Sequence, residues 1–351
     1  GSNLVRVWKK GGRGVAQDLK ASEKDTILHL VALNEGGVAF STGDPAFGII
    51  GPKGDKVTFR GSPILDFRDS EDQLLVSDDA AVIQFGYTVK KQKFNAKFSI
   101  EDRVLELNPS RDETLMAPVN SVKGLRIRRW SNSRRPSVNK KRIELDPHEH
   151  SWCAAIAPDR QSFLLGADWT LRHIDGKGKE LWKTKVPAAC RAVNVSGDGR
   201  LGVVAHADGA IRWYRMTDGE EILALFPHAD QQRWVMWTPS GYYDASIGAD
   251  QIIGWHKNSG ADAAADFFPV SKFRSVYYRP DMIRLVLQNS DEEKALQAAR
   301  ENWGRKSQRV PVDRMLPPVV EILNPAPDSE VDSSKLTVKF NTRSPSGENI
   351  T

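Results

Sequence analysis

The chain has 351 residues, of which 40% are hydrophobic and 27% charged, and its formal net charge is +5 at neutral pH. This composition is typical of a soluble globular protein, and the length suits one large domain with a smaller appendage. The sequence has no run of about 18 or more apolar residues, which excludes a transmembrane helix. Two cysteines, Cys153 and Cys190, are too few for a disulfide framework or a metal site, so we expect both to be buried small hydrophobes.

The first residues predict two strands and natural sequence further upstream. Gly1-Ser2 is typical of an expression remnant, which favours a truncated start. Short apolar stretches within residues 4–20 predict the two strands. No signal peptide is visible, so the sequence leaves the compartment open, with the cytoplasm favoured.

Tight turns of one kind recur along residues 27–272, each followed by a stretch rich in Ile, Val or Trp. Successive turns are 35 to 45 residues apart, and they contain Asp44, Asp79, Gly124, Asp168, Asp208 and Asp250. A repeat of about 40 to 45 residues with four short strands per unit is the pattern of a WD-repeat β-propeller. Because aspartate and glycine suit tight hairpins, we interpret these carboxylates as turn residues and not as catalytic acids.

The predicted fold class is therefore all-β, a WD-type β-propeller of seven blades whose first blade is incomplete in this chain. Unit 188–227 illustrates the pattern, with strands expected at 192–195, 201–205, 210–214 and 221–225. Complete units are predicted at 27–60, 63–101, 102–147, 150–187, 188–227 and 232–272. The missing strands of the first blade either lie upstream, the favoured alternative, or come from a C-terminal segment that completes the ring.

The composition changes after residue 275, which predicts three parts: a propeller over 1–275, a helical extension over 276–306, and a linker with the first strands of an immunoglobulin-like domain over 307–351. Pro280 opens one helix, and Ser290 is a candidate N-cap for a second. That second helix has an apolar face at helical spacing, made of Ala295, Leu296, Ala299 and Trp303, and it ends before Gly304. Alternating residues over 317–325 and 335–340 predict the two strands.

A series of motifs over residues 231–325 carries a family resemblance. In chain order they are WTPSGYYDAS (237–246), IGWH (253–256), FFPVSKFR (267–274), YYRPD (277–281) and PPVVEILNP (317–325). This order resembles bacterial caspase-like peptidases with WD repeats. The resemblance implies that an immunoglobulin-like linker and a caspase-fold cysteine peptidase with a His-Cys dyad follow. Nothing in this chain matches the peptidase, so no catalytic residue is carried over and we predict that the chain is not an enzyme.

The distinctive residues of this region form a structural family signature: Trp237, Gly241, Tyr242, Tyr243, Gly254, Trp255, Arg279 and Pro280. Aromatic residues bury large areas, and tyrosine and tryptophan need polar partners at a rim. We therefore expect the aromatic members to pack the last blade against the helical extension and not to bind a ligand.

A basic stretch over residues 126–142 is the main candidate site. It contains eight basic residues and no acid: Arg126, Arg128, Arg129, Arg134, Arg135, Lys140, Lys141 and Arg142. We place it on the third and fourth strands of unit 102–147 and the hairpin between them. It is a solvated loop, or it binds an acidic protein or nucleic acid. Relatives of this class cleave after Arg or Lys, so a processing site at Arg134 or Lys141 is a third alternative, because Pro136 hinders cleavage after Arg135.

The sequence predicts no cofactor, no metal and no membrane partner. His148-Glu149-His150 places two histidines on one face of a strand, but no third ligand stands at a defined spacing. We predict a recognition module that binds a protein partner: an attached peptidase domain in cis, or a substrate or activator in trans. The alternatives are a self-standing interaction scaffold and a binder of nucleic acid or an acidic partner through the basic stretch.

Overall fold

A computed structural model describes residues 4–8, 12–21, 26–43, 46–258, 265–303, 315–326 and 336–347. Strands account for 46% of the structure and helices for 10%, and all the sheets are antiparallel. The predicted all-β class is therefore confirmed. Within these ranges, no helix is both long and apolar enough to cross a membrane. The turn residue Asp44, the remnant Gly1-Ser2 and the helix-ending Gly304 lie outside the described residues.

The first strands form a hairpin and a four-stranded sheet. The hairpin pairs β1 (Leu4–Trp8) with β2 (Ala16–Lys20), as predicted. Sheet 1 contains β3 (Ile27–Ala32), β4 (Val38–Thr42), β5 (Phe47–Ile50) and β6 (Lys56–Arg60). Hairpin and sheet share one small core made of Val5, Ala21, Phe40 and Ile50.

Three further four-stranded sheets follow in chain order. Sheet 2 contains β7 (Leu75–Val76), β8 (Val82–Val89), β9 (Gln92–Ser99) and β10 (Val104–Leu107). Sheet 3 contains β11 (Ser121–Val122), β12 (Leu125–Arg128), β13 (Ser137–Val138) and β14 (Lys141–Arg142). Sheet 4 contains β15 (Ser151–Ile156), β16 (Ser162–Ala167), β17 (Thr170–Asp175) and β18 (Glu180–Lys185). In each sheet, strands that follow one another in sequence are neighbours.

Sheet 5 has six strands. They are β19 (Cys190–Val195), β20 (Leu201–His206), β21 (Ile211–Arg215), β22 (Glu221–Pro227), β23 (Trp234–Trp237) and β24 (Tyr243–Ala245). Two separate hairpins follow, β25 (Gly254–Lys257) with β26 (Asp266–Pro269), and β27 (Val319–Asn324) with β28 (Lys339–Arg343). The second strand of the last hairpin starts four residues after its predicted start at 335.

Two predicted units have different boundaries in the structure. The third unit was expected to begin at residue 102, but β10 belongs to sheet 2 because it pairs with β9 across a tight turn with Arg103 at φ 58°. Unit 232–272 is not a four-stranded sheet. Asp230 accepts hydrogen bonds from the backbone N–H groups of Gln232 and Arg233, and this tight turn returns β23 onto β22. β24 follows β23 into sheet 5, and the last two strands of that unit form the separate β25–β26 hairpin.

The largest core joins sheet 2, sheet 5 and the helices. Trp213 is fully buried, and its indole N–H donates to the carbonyl of Ala80, 3.0 Å away. The rings of Phe98 and Trp234 pack edge to face, 4.8 Å apart. Separate clusters join sheet 3 to sheet 4 and sheet 4 to sheet 5.

Among the described residues, three helices follow the β25–β26 hairpin, of which the second begins at Pro280, as predicted, and the first was not predicted. They are α1 (Arg274–Tyr277), α2 (Pro280–Asn289) and α3 (Glu292–Trp303), with short 3₁₀ turns at Ala249–Gln251 and Val270–Phe273. The predicted N-cap was one residue early. Ser290 ends α2 in a left-handed conformation (φ 51°), and Asp291 caps α3 by accepting from the N–H of Lys294. The side chain of Trp303 lies outside the described residues.

Candidate functional site

The strand alternation of β12 directs the basic residues outward. Leu125 and Ile127 are buried in the core shared with sheet 4, whereas Arg126 and Arg128 are exposed. Successive side chains of a strand point to opposite faces, so these two arginines share the outer face of sheet 3. The basic stretch occupies β12, β13 and β14, the second to fourth strands. Its predicted position on the third and fourth strands was therefore wrong, because a long loop separates β12 from β13.

The register of sheet 3 extends this arginine pair across the sheet. Arg128 lies opposite Ser137, and Ser137 lies opposite Arg142. Residues directly opposite in an antiparallel pair lie side by side on one face. Arg128 and Arg142 therefore flank a serine on the outer face, with Arg126 two residues along β12.

A tight turn holds the lysines at the tip of β13 and β14. Asn139 and Lys140 have φ values of 46° and 73°, the left-handed pair of a two-residue hairpin. Asn139 fixes this turn against β12: its side-chain oxygen accepts from the N–H of Arg126 at 2.9 Å, and its amide donates to the carbonyl of Gly124 at 2.8 Å. Lys140 and Lys141 are both exposed.

The loop between β12 and β13 is fixed to the first strand of sheet 4. Ser133 and Ser151 exchange two backbone hydrogen bonds, of 3.1 and 2.9 Å. The hydroxyl of Ser133 accepts from the N–H of Arg135 at 3.1 Å, and Pro136 is buried. The Nε–H of Arg134 donates to Nε2 of His150 at 3.0 Å. The loop thus presents its arginines from a defined backbone.

All eight basic residues of 126–142 are exposed, and we call this set the basic face; Lys141, which lies opposite buried Val138, points to the other side of sheet 3 from Arg128 and Arg142. Arg142 lies 3.3 Å from the carboxylate of Glu144, and both side chains are mostly exposed. Within the described ranges, no carboxylate lies at ion-pair distance from the other seven. An exposed surface with this excess of one charge attracts an oppositely charged partner over distances of about 10 Å.

An aromatic and cationic group that the sequence did not indicate adjoins the basic face. Trp152 in β15 and Arg191 in β19 each lie at a shift in strand register typical of a β-bulge. The guanidinium of Arg191 lies over the Trp152 ring, 4.8 Å from its centroid, and the His150 ring lies 6.2 Å from the same ring. Periodicity alone does not locate a bulge, which is why both residues were missed.

The family signature residues lie where sheet 5 meets the helices. The Trp255 ring contacts Phe273 at 4.9 Å and Tyr277 at 5.2 Å, and Tyr242 contacts Tyr277 at 5.8 Å. Tyr243 is fully buried. Gly241 has φ 92° and faces Trp255, where a Cβ atom would be 3.1 Å from the indole.

The remaining signature residues fix the helix entry and line a small cavity. Arg279 forms an ion pair with Asp281 at 2.6 Å, and Pro280 is the first residue of α2. Gly254 begins β25, where a Cβ atom would be 2.2 Å from the carbonyl oxygen of Phe268. A cavity of about 320 Å³ lies between Trp237, Gly254 and Trp255.

The cysteines and histidines offer no reactive group. Both cysteines are buried, as predicted, and burial raises the pKa of the Cys190 thiol to about 12 and also raises that of Cys153. A thiol with a raised pKa is a poor nucleophile. His150 lies 3.4 Å from Asp168, and no group of three potential metal ligands occurs in the part of the chain that the structure describes.

Asp79 and Asp208 make the turn contacts expected of them, whereas Asp168 bonds to a backbone group distant in sequence and Asp250 lies in a 3₁₀ turn. Asp79 and Asp208 accept from the N–H groups of Ala81 and Ala210, two residues on. Asp168 accepts from the N–H of His150, and Asp250 pairs with Arg274 at 2.8 Å.

Comparisons with known proteins leave the family open. No family model matches the chain, and no curated protein matches it. Among solved structures, the computationally designed protein Ika8 is 12% identical, with 67% of this chain and 78% of that chain covered. The TM-score is 0.26, a value that supports no conclusion about fold or function.

Proposed function

We propose that this chain is a non-catalytic recognition module that binds an acidic protein partner through the basic face. The observation that carries this proposal is the set of seven exposed cationic side chains that have no described carboxylate within ion-pair distance, presented by β12, β14 and a fixed loop. Complementary charge accelerates association and selects partners, so such a surface suits recognition.

The observations favour a protein over a nucleic acid. Proteins that bind single-stranded nucleic acid without base readout combine basic grooves with exposed aromatic rings for base stacking. The aromatic residue within the basic stretch, Trp130, is half-buried and packs against the core of sheets 3 and 4. The basic stretch itself thus offers charge without a free aromatic ring, which fits aspartate and glutamate side chains better than bases.

We further propose that the module is a WD-type β-propeller of seven blades that controls a caspase-like peptidase in the same protein. Successive four-stranded antiparallel sheets joined by tight turns support the propeller. The motifs of residues 231–325 support the peptidase connection. A self-standing scaffold is the alternative, and sequence beyond Thr351 distinguishes the two, because a caspase-like domain brings a histidine and a cysteine.

Processing within the basic face is less well supported than binding. Proteases require a segment that opens locally. Lys141 lies in β14 and pairs with Val138, and the loop that carries Arg134 is fixed to β15 at Ser133. Sequencing the fragments of the activated full-length protein tests this alternative, and an intact 126–142 segment in active protein eliminates it.

Binding of a labelled poly-glutamate peptide tests the proposed function. We expect the triple variant Arg126→Ser, Arg128→Ser, Arg142→Ser to weaken binding roughly tenfold at low salt, since each exposed ion pair contributes about 0.2–1 kcal/mol. Fluorescence anisotropy over a salt series measures this. The matched control removes three exposed lysines of sheet 2, Lys90→Ser, Lys91→Ser and Lys93→Ser, and stays within about twofold of the unmodified protein. Equal loss in both triple variants contradicts a specific surface.

A further inference from the structure

A guanidinium group beside the basic face has no acidic partner. Arg191 lies at the register shift of β19, half-buried, with its guanidinium over the ring of Trp152. Its Nε atom is buried, and no described residue accepts a hydrogen bond from it. No carboxylate lies within ion-pair distance of Arg191 in the described ranges. The Nη groups of Arg191 are not among the buried atoms and donate to no described residue, so they are available to an acceptor outside this chain.

The carboxylate that contacts Trp152 is already engaged. Asp168 accepts from the indole N–H of Trp152 at 2.6 Å and from the backbone N–H of His150 at 2.7 Å. These bonds hold the Trp152 ring in place, and the ring in turn fixes the plane of the Arg191 guanidinium. Arg191 is therefore preorganised, with donor edges that this chain does not use.

The position of Arg191 extends the basic face. Arg134 of the basic face bonds to His150, the His150 ring lies next to Trp152, and Trp152 supports Arg191. These contacts form a continuous path from the loop of sheet 3 to the first strand of sheet 5.

We infer that Arg191 is a carboxylate-binding subsite for an acidic segment of the protein partner, next to the basic face. The planar guanidinium presents parallel N–H groups that match the two oxygens of an aspartate or glutamate side chain. A nucleic acid fits less well, because Arg191 covers the Trp152 ring face on which a base would stack. This inference rests on the proposed function.

Two substitutions of Arg191 test the subsite with the labelled poly-glutamate peptide. Arg191→Gln removes the charge, and we expect at least about a tenfold loss of affinity. Arg191→Lys keeps the charge but removes the planar fork, so we expect an intermediate loss. The matched control is Arg160→Gln, an exposed arginine at the other end of β15, which stays within about twofold. Circular dichroism of each variant verifies the fold.

The two proposals fail in different ways. If the triple variant of the basic face weakens binding but both Arg191 variants bind like Arg160→Gln, the subsite is wrong and the proposed function stands. If none of these variants changes binding, both are wrong. If single-stranded DNA of equal charge competes equally and depends on Arg191, the subsite belongs to a nucleic acid and the inference is overturned.

NMR spectroscopy tests directly whether a carboxylate binds to Arg191. The guanidinium N–H resonances of Arg191, assigned by their disappearance in Arg191→Lys, shift when poly-glutamate is added if a carboxylate accepts from this group. A resonance that stays unchanged at saturating peptide overturns the inference even where affinity falls.

Discussion

The most strongly perturbed histidine of the chain is held neutral by its surroundings. His206 is fully buried at the end of β20. Its Nδ1–H donates to the carbonyl of Ala188 at 2.9 Å, and its Nε2 accepts from the hydroxyl of Tyr214 at 3.2 Å. Burial, with a smaller contribution from the charge of Arg212, lowers the pKa of His206 to about 4. Protonation would place a buried charge beside an arginine.

We predict that the protein loses stability between about pH 6.5 and pH 4. The pKa of an unfolded histidine is about 6.5, so as the pH falls the unfolded chain takes up a proton before folded His206 does. The stabilisation is complete above about pH 6.5 and is lost progressively down to about pH 4, amounting to about 3 kcal/mol for His206. Burial also lowers the pKa of His173, which acts in the same direction. Urea denaturation at a series of pH values measures the slope.

His206→Gln provides the control for this pH dependence. Glutamine keeps a donor and an acceptor but does not titrate, so the loss between pH 6.5 and pH 4 should shrink to the part that His173 and the aspartates with lowered pKa, such as Asp208, contribute. An unchanged slope in this variant assigns the dependence to other groups and contradicts the low pKa of His206.

At the scale of single elements, sheet 4 contains a buried ion-pair network. Arg172 of β17 is 1% exposed and donates to Glu149 at 2.8 Å, to Asp146 at 2.9 Å and to Glu180 at 3.1 Å. Glu149 is also 1% exposed and accepts from the hydroxyl of Thr170 at 2.6 Å. The network ties the segment before β15 to β17 and β18.

We expect Glu149→Ala to destabilise the protein by about 1.5–3 kcal/mol, because it removes the buried carboxylate from Arg172 while Asp146 and Glu180 still pair with this guanidinium. Thermal or chemical denaturation measures the loss. The exposed pair of Arg142 and Glu144 supplies the matched control, and Glu144→Ala should change stability by less than about 0.5 kcal/mol. A similar small effect for both substitutions means that water reaches Arg172 in solution.

The elements that the sequence predicted well are those set by local chemistry. The tight turns at Asp79 and Asp208 and the apolar strands of sheets 1, 4 and 5 follow from residue type and alternation. The boundary errors involve strand pairing. In the structure β10 pairs with β9, and β23 pairs with β22. Turn composition shows where a strand ends, but it does not show which strand the next one pairs with.

In the candidate site, too, the sequence predicts the local features but not the contacts between sheets. The charge of the basic face is visible in the sequence, and strand alternation explains why Arg126 and Arg128 share the outer face. The contact of Trp152 with Arg191 joins residues from different sheets, each at a β-bulge. A bulge adds one residue to a strand and interrupts the alternation of buried and exposed side chains. A periodic sequence pattern therefore does not indicate which side chain is exposed at the bulge.

At the scale of the whole molecule, the apolar cores differ in size. Sheets 2 and 5 and the helices share the largest cluster, which includes Phe98, Trp213 and Met282, all fully buried. Sheet 1 and the first hairpin share a cluster of four buried residues, while Leu28, Leu30 and Val31 of β3 are more than half exposed. Regions with few buried apolar contacts open at lower free energy than the main core.

We predict that sheet 1 opens as a separate unit, and two equivalent substitutions test this. Phe40→Ala removes a ring from the sheet 1 cluster, and Phe98→Ala removes one from the largest cluster. Hydrogen exchange should accelerate in β1–β6 alone for Phe40→Ala. Phe98→Ala should lower the free energy of global unfolding by about 3–5 kcal/mol and accelerate exchange throughout sheets 2 and 5. In the unmodified protein, amides of β20 and β21 should be protected longer than those of β4 and β5. Equal protection of both sets of amides would contradict this prediction. Faster exchange in sheet 5 caused by Phe40→Ala would also contradict it, because a substitution in the sheet 1 cluster would then destabilise the largest cluster as well.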